Sequence, residues 1–185
     1  MTKELGVGII GCGNISTTYF RLAPLFKGIK VVACADINQA AAEARAAEYG
    51  VEAQSIEALL ANPAVDIVVN LTIPDAHYPV SKAILEAGKH VYSEKPLVLS
   101  LEQGEELRAI AKAKGLSVGC APDTFLGGAH QLARSTIDAG KIGRVTSGTC
   151  HVMSPGMEMG IRTRTSSSCP AAARSSISAP ITSPT

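Results

Sequence analysis

Short apolar runs alternate with stretches in which apolar residues recur every three or four positions, and the alternation persists to residue 142. Leu5, Val7, Ile9 and Ile10 begin it as a strand over 5–10, followed by a helix over 14–26 and a second strand over 30–35. Asn38 stands as a cap before an alanine-rich helix over 39–49 that Gly50 ends. Ser55 opens a short helix that Asn62 and Pro63 close. Strands over 66–71, 90–92 and 116–121 then alternate with helices over 75–87, 101–114 and 126–139; Ser100 caps the second of these helices. Strands that are apolar on both faces and joined by helices build a parallel sheet covered on both sides. Right-handed crossovers make this α/β fold a doubly wound sheet, with its site beyond the carboxyl ends of the strands.

The first strand runs directly into Gly11-Cys12-Gly13-Asn14-Ile15-Ser16. Gly11 suits a tight turn, Gly13 allows close approach of a phosphate to the backbone, and a helix starting near Asn14 offers unpaired N–H groups. The third glycine of such a turn is replaced by Ser16. Asp36 ends the second strand, where folds of this type carry an acid for the adenosine ribose. No arginine adjoins Asp36, and a carboxylate repels a 2′-phosphate, so NAD is expected in preference to NADP.

Composition narrows the picture. The 185 residues carry a net charge of +1 with no long basic run, which argues against nucleic acid or an anionic membrane surface as partner. No stretch approaches the ~20 apolar residues of a membrane span. The amino terminus enters a strand without a leader pattern, which points to the cytoplasm. Cys12, Cys34, Cys120, Cys150 and Cys169 form no C-x-x-C pair and read as small apolar residues, not as disulfides or metal ligands.

Three further features fall at strand ends. Thr72-Ile73-Pro74-Asp75-Ala76-His77 joins a strand to a helix; His77 either approaches a nicotinamide ribose or substrate, or is bonded locally at the helix start. Glu94-Lys95-Pro96 fixes a lysine on a stiff turn, where its ammonium can donate to a substrate oxygen or lose its proton in a cleft. Asp123, after the strand over 116–121, either contacts substrate or caps the following helix.

Taken together, Gly-Cys-Gly-Asn-Ile at 11–15, Asp36, Thr-x-Pro-x-x-His at 72–77 and Glu-Lys-Pro at 94–96 resemble the glucose–fructose oxidoreductase / inositol dehydrogenase / MocA family over roughly residues 5–157. The resemblance implies a Rossmann-type domain over 1–142 and NAD(P)-dependent hydride transfer at a sugar or cyclitol carbon. It implies that the cofactor lies along Gly11, Cys12, Gly13, Asn14, Ile15, Asp36, Thr72, Pro74, His77 and Glu94. Lys95 would orient or polarise the reacting hydroxyl as catalytic and substrate residue, and Pro96 would be cis. No resident metal is implied.

Beyond Gly143 the pattern changes. A strand over 144–153 begins what the resemblance makes an α+β substrate domain, of which 143–159 would be a remnant. Residues 160–185 are almost entirely Ser, Thr, Pro and Ala, a composition expected to stay disordered. Reverse translation shifted by one nucleotide permits aromatic and Gly-Gly-Gly runs in the family's order, so a frameshifted tail is our hypothesis; the encoding DNA, read for an open shifted frame, checks it. On that hypothesis the substrate wall and the family's oligomer interface are lost, and turnover is impaired. A non-catalytic dinucleotide-binding module, serving as redox sensor or interaction protein, is the alternative. A product with no stable fold is a third.

Overall fold

The computed structural model describes residues 4–121, 124–149 and 151. Asp123 and the expected disordered, frameshifted tail over 160–185 lie outside the described residues, as does most of the 143–159 remnant.

Six strands form one sheet: β1 (Leu5–Ile10), β2 (Ile29–Ala35), β3 (Glu52–Ala53), β4 (Ile67–Asn70), β5 (His90–Ser93) and β6 (Val118–Cys120). Their order is β3-β2-β1-β4-β5-β6, and every neighbouring pair is parallel. The chain therefore works outward from β1 to one edge, then returns beside β1 and works outward to the other. This is the Rossmann-like doubly wound sheet that the alternation predicts, with its reversal between β1 and β4. The two-residue β3 went unread in the sequence, because Glu52-Ala53 is too short to carry a period.

Between the strands lie α1 (Ser16–Leu22), α2 (Gln39–Tyr49), α3 (Ile56–Ala61), α4 (Pro74–Glu86) and α5 (Leu101–Lys114). Ser55 and Ser100 cap α3 and α5, accepting from the N–H groups of Ala58 and Gln103. Asn38 occupies the cap position of α2 without a side-chain bond to the helix. The helix expected from Asn14 starts at Ser16 and ends at Leu22, and Pro24 lies in a separate 3-10 turn over Ala23–Leu25. Proline cannot supply the N–H that a continuing helix needs.

Both faces of the sheet are buried. On one, Ile10, Val68 and Val91 pack with Leu59, Ile84, Leu85 and Leu107 from α3, α4 and α5. On the other, Val7, Ile9, Cys34 and Val69 pack with Phe20 of α1 and Ala42 and Ala46 of α2. Phe20 also stacks on Tyr49, ring centroids 4.8 Å apart, which ties α1 to the end of α2.

The chain divides into two units, Met1–Asp123 and Thr124–Thr185. In the second, a 3-10 turn over Thr124–Leu126 precedes α6 (Gly128–Asp138), which carries an Arg134–Asp138 ion pair of 2.8 Å. Residues 144–149, expected as strand, carry none. A strand exists only as part of a ladder, and no described segment pairs with this one.

Candidate functional site

Ladder register brings the sequence motifs to one edge of the sheet. Ile10 lies level with Ala35 and Asn70, and Asn70 level with Ser93. Each ladder continues one residue past its strand: Gly11 N–H donates to Ala35 O, Leu71 N–H to Ile10 O, Glu94 N–H to Asn70 O and Ala121 N–H to Ser93 O, over 2.8–3.0 Å. Gly11, Asp36, Thr72 and Glu94 thus sit at the carboxyl ends of adjacent strands, across the reversal in strand order.

Gly11 has φ +100°, and a Cβ there would lie 2.7 Å from the carbonyl carbon and oxygen of Leu71. Only glycine fits this turn. Gly13 has no such crowding: a Cβ on it meets nothing within 4 Å, and Gly13, Asn14 and Ile15 are all exposed. Ser16, standing in place of the third glycine, is fully buried and donates its hydroxyl to Gly13 O at 2.6 Å. The serine thus closes the turn through its side chain.

Asp36 is built into this turn. Its Oδ2 accepts from Cys12 N–H at 2.7 Å and its Oδ1 from Asn38 N–H at 2.8 Å. From α2, Arg45 donates through Nε to Cys12 O at 3.4 Å and pairs with Glu48 at 2.6 Å. Cys12 and Cys34 are buried and free. A hydrogen bond to Cys34, reinforced by burial, holds the Cys12 thiol above the usual thiol range, so it stays protonated and packs as a small apolar group.

At the end of β4, Asn70 is completely buried and organises the next turn. Its Nδ2 donates to His77 O at 3.0 Å and Ser81 Oγ at 3.1 Å, while its Oδ1 accepts from Thr72 Oγ1 at 2.7 Å. Pro74 is the first residue of α4, and Ile73 before it is extended, as the residue before a proline prefers. His77 is 1% exposed; its Nδ1 stands 2.5 Å from Pro96 O and its Nε2 2.9 Å from Thr72 O. The ring joins the 72–77 turn to the 94–96 turn.

The Lys95–Pro96 peptide is cis, as the family resemblance implies, and Lys95 is exposed. Glu94 is half-buried, with Oε1 accepting from Tyr19 Oη at 2.9 Å and Oε2 from the Lys95 N–H at 3.0 Å. Tyr19 and Arg45 were not legible as site residues, since each lies inside a helix and is marked by no motif. Ile37, 95% exposed immediately after Asp36, carried one available signal: an apolar residue where the pattern demands a polar one. On the α1 face, a cleft of about 480 Å3 is lined by Val7, Val69, Tyr92, Tyr19, Phe26 and Glu94.

Comparison with known proteins agrees with this fold. The chain is 32% identical over 139 residues to 1,5-anhydro-D-fructose reductase of Ensifer adhaerens, covering 74% of this chain and 42% of that protein. It is 33% identical over 140 residues to inositol 2-dehydrogenase of Rhizobium meliloti (strain 1021), covering 75% and 42%. The structure of biliverdin reductase from Synechocystis sp. PCC 6803, in complex with biliverdin and NADP+, superposes with a TM-score of 0.68 at 32% identity, covering 80% of this chain and 47% of that one. The chain thus spans less than half the length of these relatives. Residues 5–121 match the family described as "Oxidoreductase family, NAD-binding Rossmann fold" (GFO_IDH_MocA), and the chain belongs to that family.

Proposed function

We propose that this chain carries the coenzyme half of a cleft in which hydride passes between a sugar or cyclitol carbon and NAD. The observation that carries the reading is the common level of Gly11, Asp36, Leu71 and Glu94 along the carboxyl edge of the sheet, with Thr72 one residue beyond Leu71. The residues present fit a dinucleotide. The open space above Gly13 and the exposed backbone of 13–15 suit a pyrophosphate, and Asp36 retains lone pairs for the adenosine ribose hydroxyls. Ile37 offers apolar surface beside that ribose. Across the strand reversal, Thr72 and Glu94 face the nicotinamide half.

Bound nicotinamide supplies the hydride acceptor or donor. The protein's share is to orient the substrate and manage charge on its oxygen. Lys95, exposed at the same edge, donates to the reacting oxygen and stabilises the negative charge that develops there. NAD is favoured over NADP because the Asp36 carboxylate stands where a 2′-phosphate would lie, and the nearby Arg45 already serves Glu48 and Cys12 O. The polyol class rests on the two sugar- and inositol-acting relatives. The free cysteines Cys12 and Cys34 suit a reducing compartment, and the cytoplasm is our reading of location. Among the described residues no helix is long and apolar enough to cross a membrane.

A polypeptide of these 185 residues is expected to bind dinucleotide while turning over polyol weakly, because the matched segment, 5–121, is the coenzyme-binding part. Titration of NADH fluorescence followed by assay of a polyol panel with NAD tests this. Saturable binding with weak turnover supports the proposal. Binding with no turnover in any polyol favours a dinucleotide-binding module instead, and no binding removes both readings.

A further inference from the structure

Tyr19 and Glu94 are 75 residues apart and meet across the carboxyl edge of the sheet. Tyr19 belongs to α1, the helix that leaves the glycine turn, and its hydroxyl donates to Glu94 Oε1 at 2.9 Å. The other carboxylate oxygen accepts the N–H of Lys95, the next residue in its own turn. Both oxygens are therefore held, one by each neighbour, and the plane of the carboxylate is set. A glutamate fixed on one side only would rotate about its terminal torsion, which has a broad and shallow energy profile. The tyrosine itself is not free to drift. Its neighbour Phe20 is 4% exposed and stacks on Tyr49, which fixes the rotation of α1 about its axis.

We infer that Tyr19 is a positioning residue: its hydroxyl sets the Glu94 carboxylate so that the remaining lone pairs face the nicotinamide ribose. The inference rests on the dinucleotide reading above and extends it, since it makes α1 serve both halves of the coenzyme. The glycine turn at its start receives the pyrophosphate, and a phenol one turn along the helix reaches the nicotinamide side. Hydrogen bonds to a charged acceptor are worth more than neutral ones, so loss of this one is large enough to measure.

The test compares NADH with ADP, which carries only the adenosine half. In wild-type protein both are expected to bind. Tyr19→Phe keeps the ring and removes only the hydroxyl; it is expected to weaken NADH about tenfold and leave ADP unchanged. Glu94→Gln is expected to weaken NADH similarly, and the double variant to be no weaker than either single one. A general loosening of α1 would weaken ADP as much as NADH, and that outcome overturns the inference. So does unchanged NADH affinity in Tyr19→Phe, while leaving the dinucleotide reading intact. Failure of the wild type to bind either ligand removes both. Should Tyr19→Phe not fold, wild-type protein labelled at tyrosine Cζ gives a second readout: the Tyr19 resonance is expected to move with NADH and not with ADP. A resonance unmoved by NADH overturns the proposal.

Discussion

The backbone N–H of Cys12 donates to Asp36 Oδ2 over 2.7 Å, so the glycine turn after β1 and the acid at the end of β2 form one hydrogen-bonded unit. Asn38 N–H completes it on the other oxygen. Asp36 has two tasks on this account: it shapes the turn, and it presents lone pairs to a ribose. Asp36→Ala should leave the Cys12 N–H without its acceptor, costing about 1–3 kcal/mol in urea unfolding, and should weaken NADH by more than tenfold. Asp36→Asn, which keeps one acceptor and removes the charge, should lose less stability and narrow the preference for NADH over NADPH. Unfolding curves and fluorescence titrations of both variants check this.

Two glycines in the same turn should fail in different ways. A methyl on Gly11 would meet the Leu71 backbone at 2.7 Å in a left-handed conformation, so Gly11→Ala should destabilise the protein by several kcal/mol. A methyl on Gly13 meets nothing. Gly13→Ala should therefore melt within a few degrees of wild type and still bind NADH at least tenfold more weakly, because the methyl occupies space meant for phosphate. Thermal melts beside binding curves separate the two outcomes. Equal loss of stability in both variants would contradict the assigned roles.

His77 should behave as part of the scaffold. Its ring stands between Thr72 O and Pro96 O at the buried junction of two turns. His77→Ala leaves both carbonyls without the ring and opens a cavity, at a cost of about 3 kcal/mol and roughly 10 °C in Tm. The measurement is a thermal melt without ligand. A variant that melts like wild type and loses only affinity would return His77 to the ligand surface.

The sequence told more about the sheet than about the site. β1, β2 and β4 are short, apolar on both faces and bounded by Gly, Asp or Pro, which is why their positions and parallel pairing could be read directly. The Gly11, Asp36, Thr72 and Glu94 positions could be read because each follows such a strand. What could not be read is which side chain touches which. His77 reaches Pro96, nineteen positions on, and Tyr19 reaches Glu94; neither link leaves a local pattern, because it exists only once the register is formed. Ser16 shows the same limit: the sequence shows it in place of a third glycine, and its buried hydroxyl bond to Gly13 O exists only in the folded turn.

Lys89 provides a test of the fold alone. Its ammonium donates to Asn62 O at 2.8 Å and Val65 O at 2.7 Å, and it is nearly buried. Burial lowers its pKa from 10.5, partly offset by Asp66. A lysine whose pKa is lower in the folded state destabilises the fold while both states are protonated. That penalty is relieved as pH rises from the folded value toward 10.5, where the unfolded chain still binds the proton. The stability of wild type minus that of Lys89→Met should therefore rise with pH just below 10.5. Urea midpoints across this range measure it, and a flat difference would contradict the lowered pKa.

Whether the folded 185-residue chain holds a nicotinamide dinucleotide is read by calorimetric titration with NADH. One saturable site per chain is expected, which Gly13→Ala weakens without lowering the melting temperature. Well-folded wild-type protein that gives no heat with NADH or NAD would contradict it.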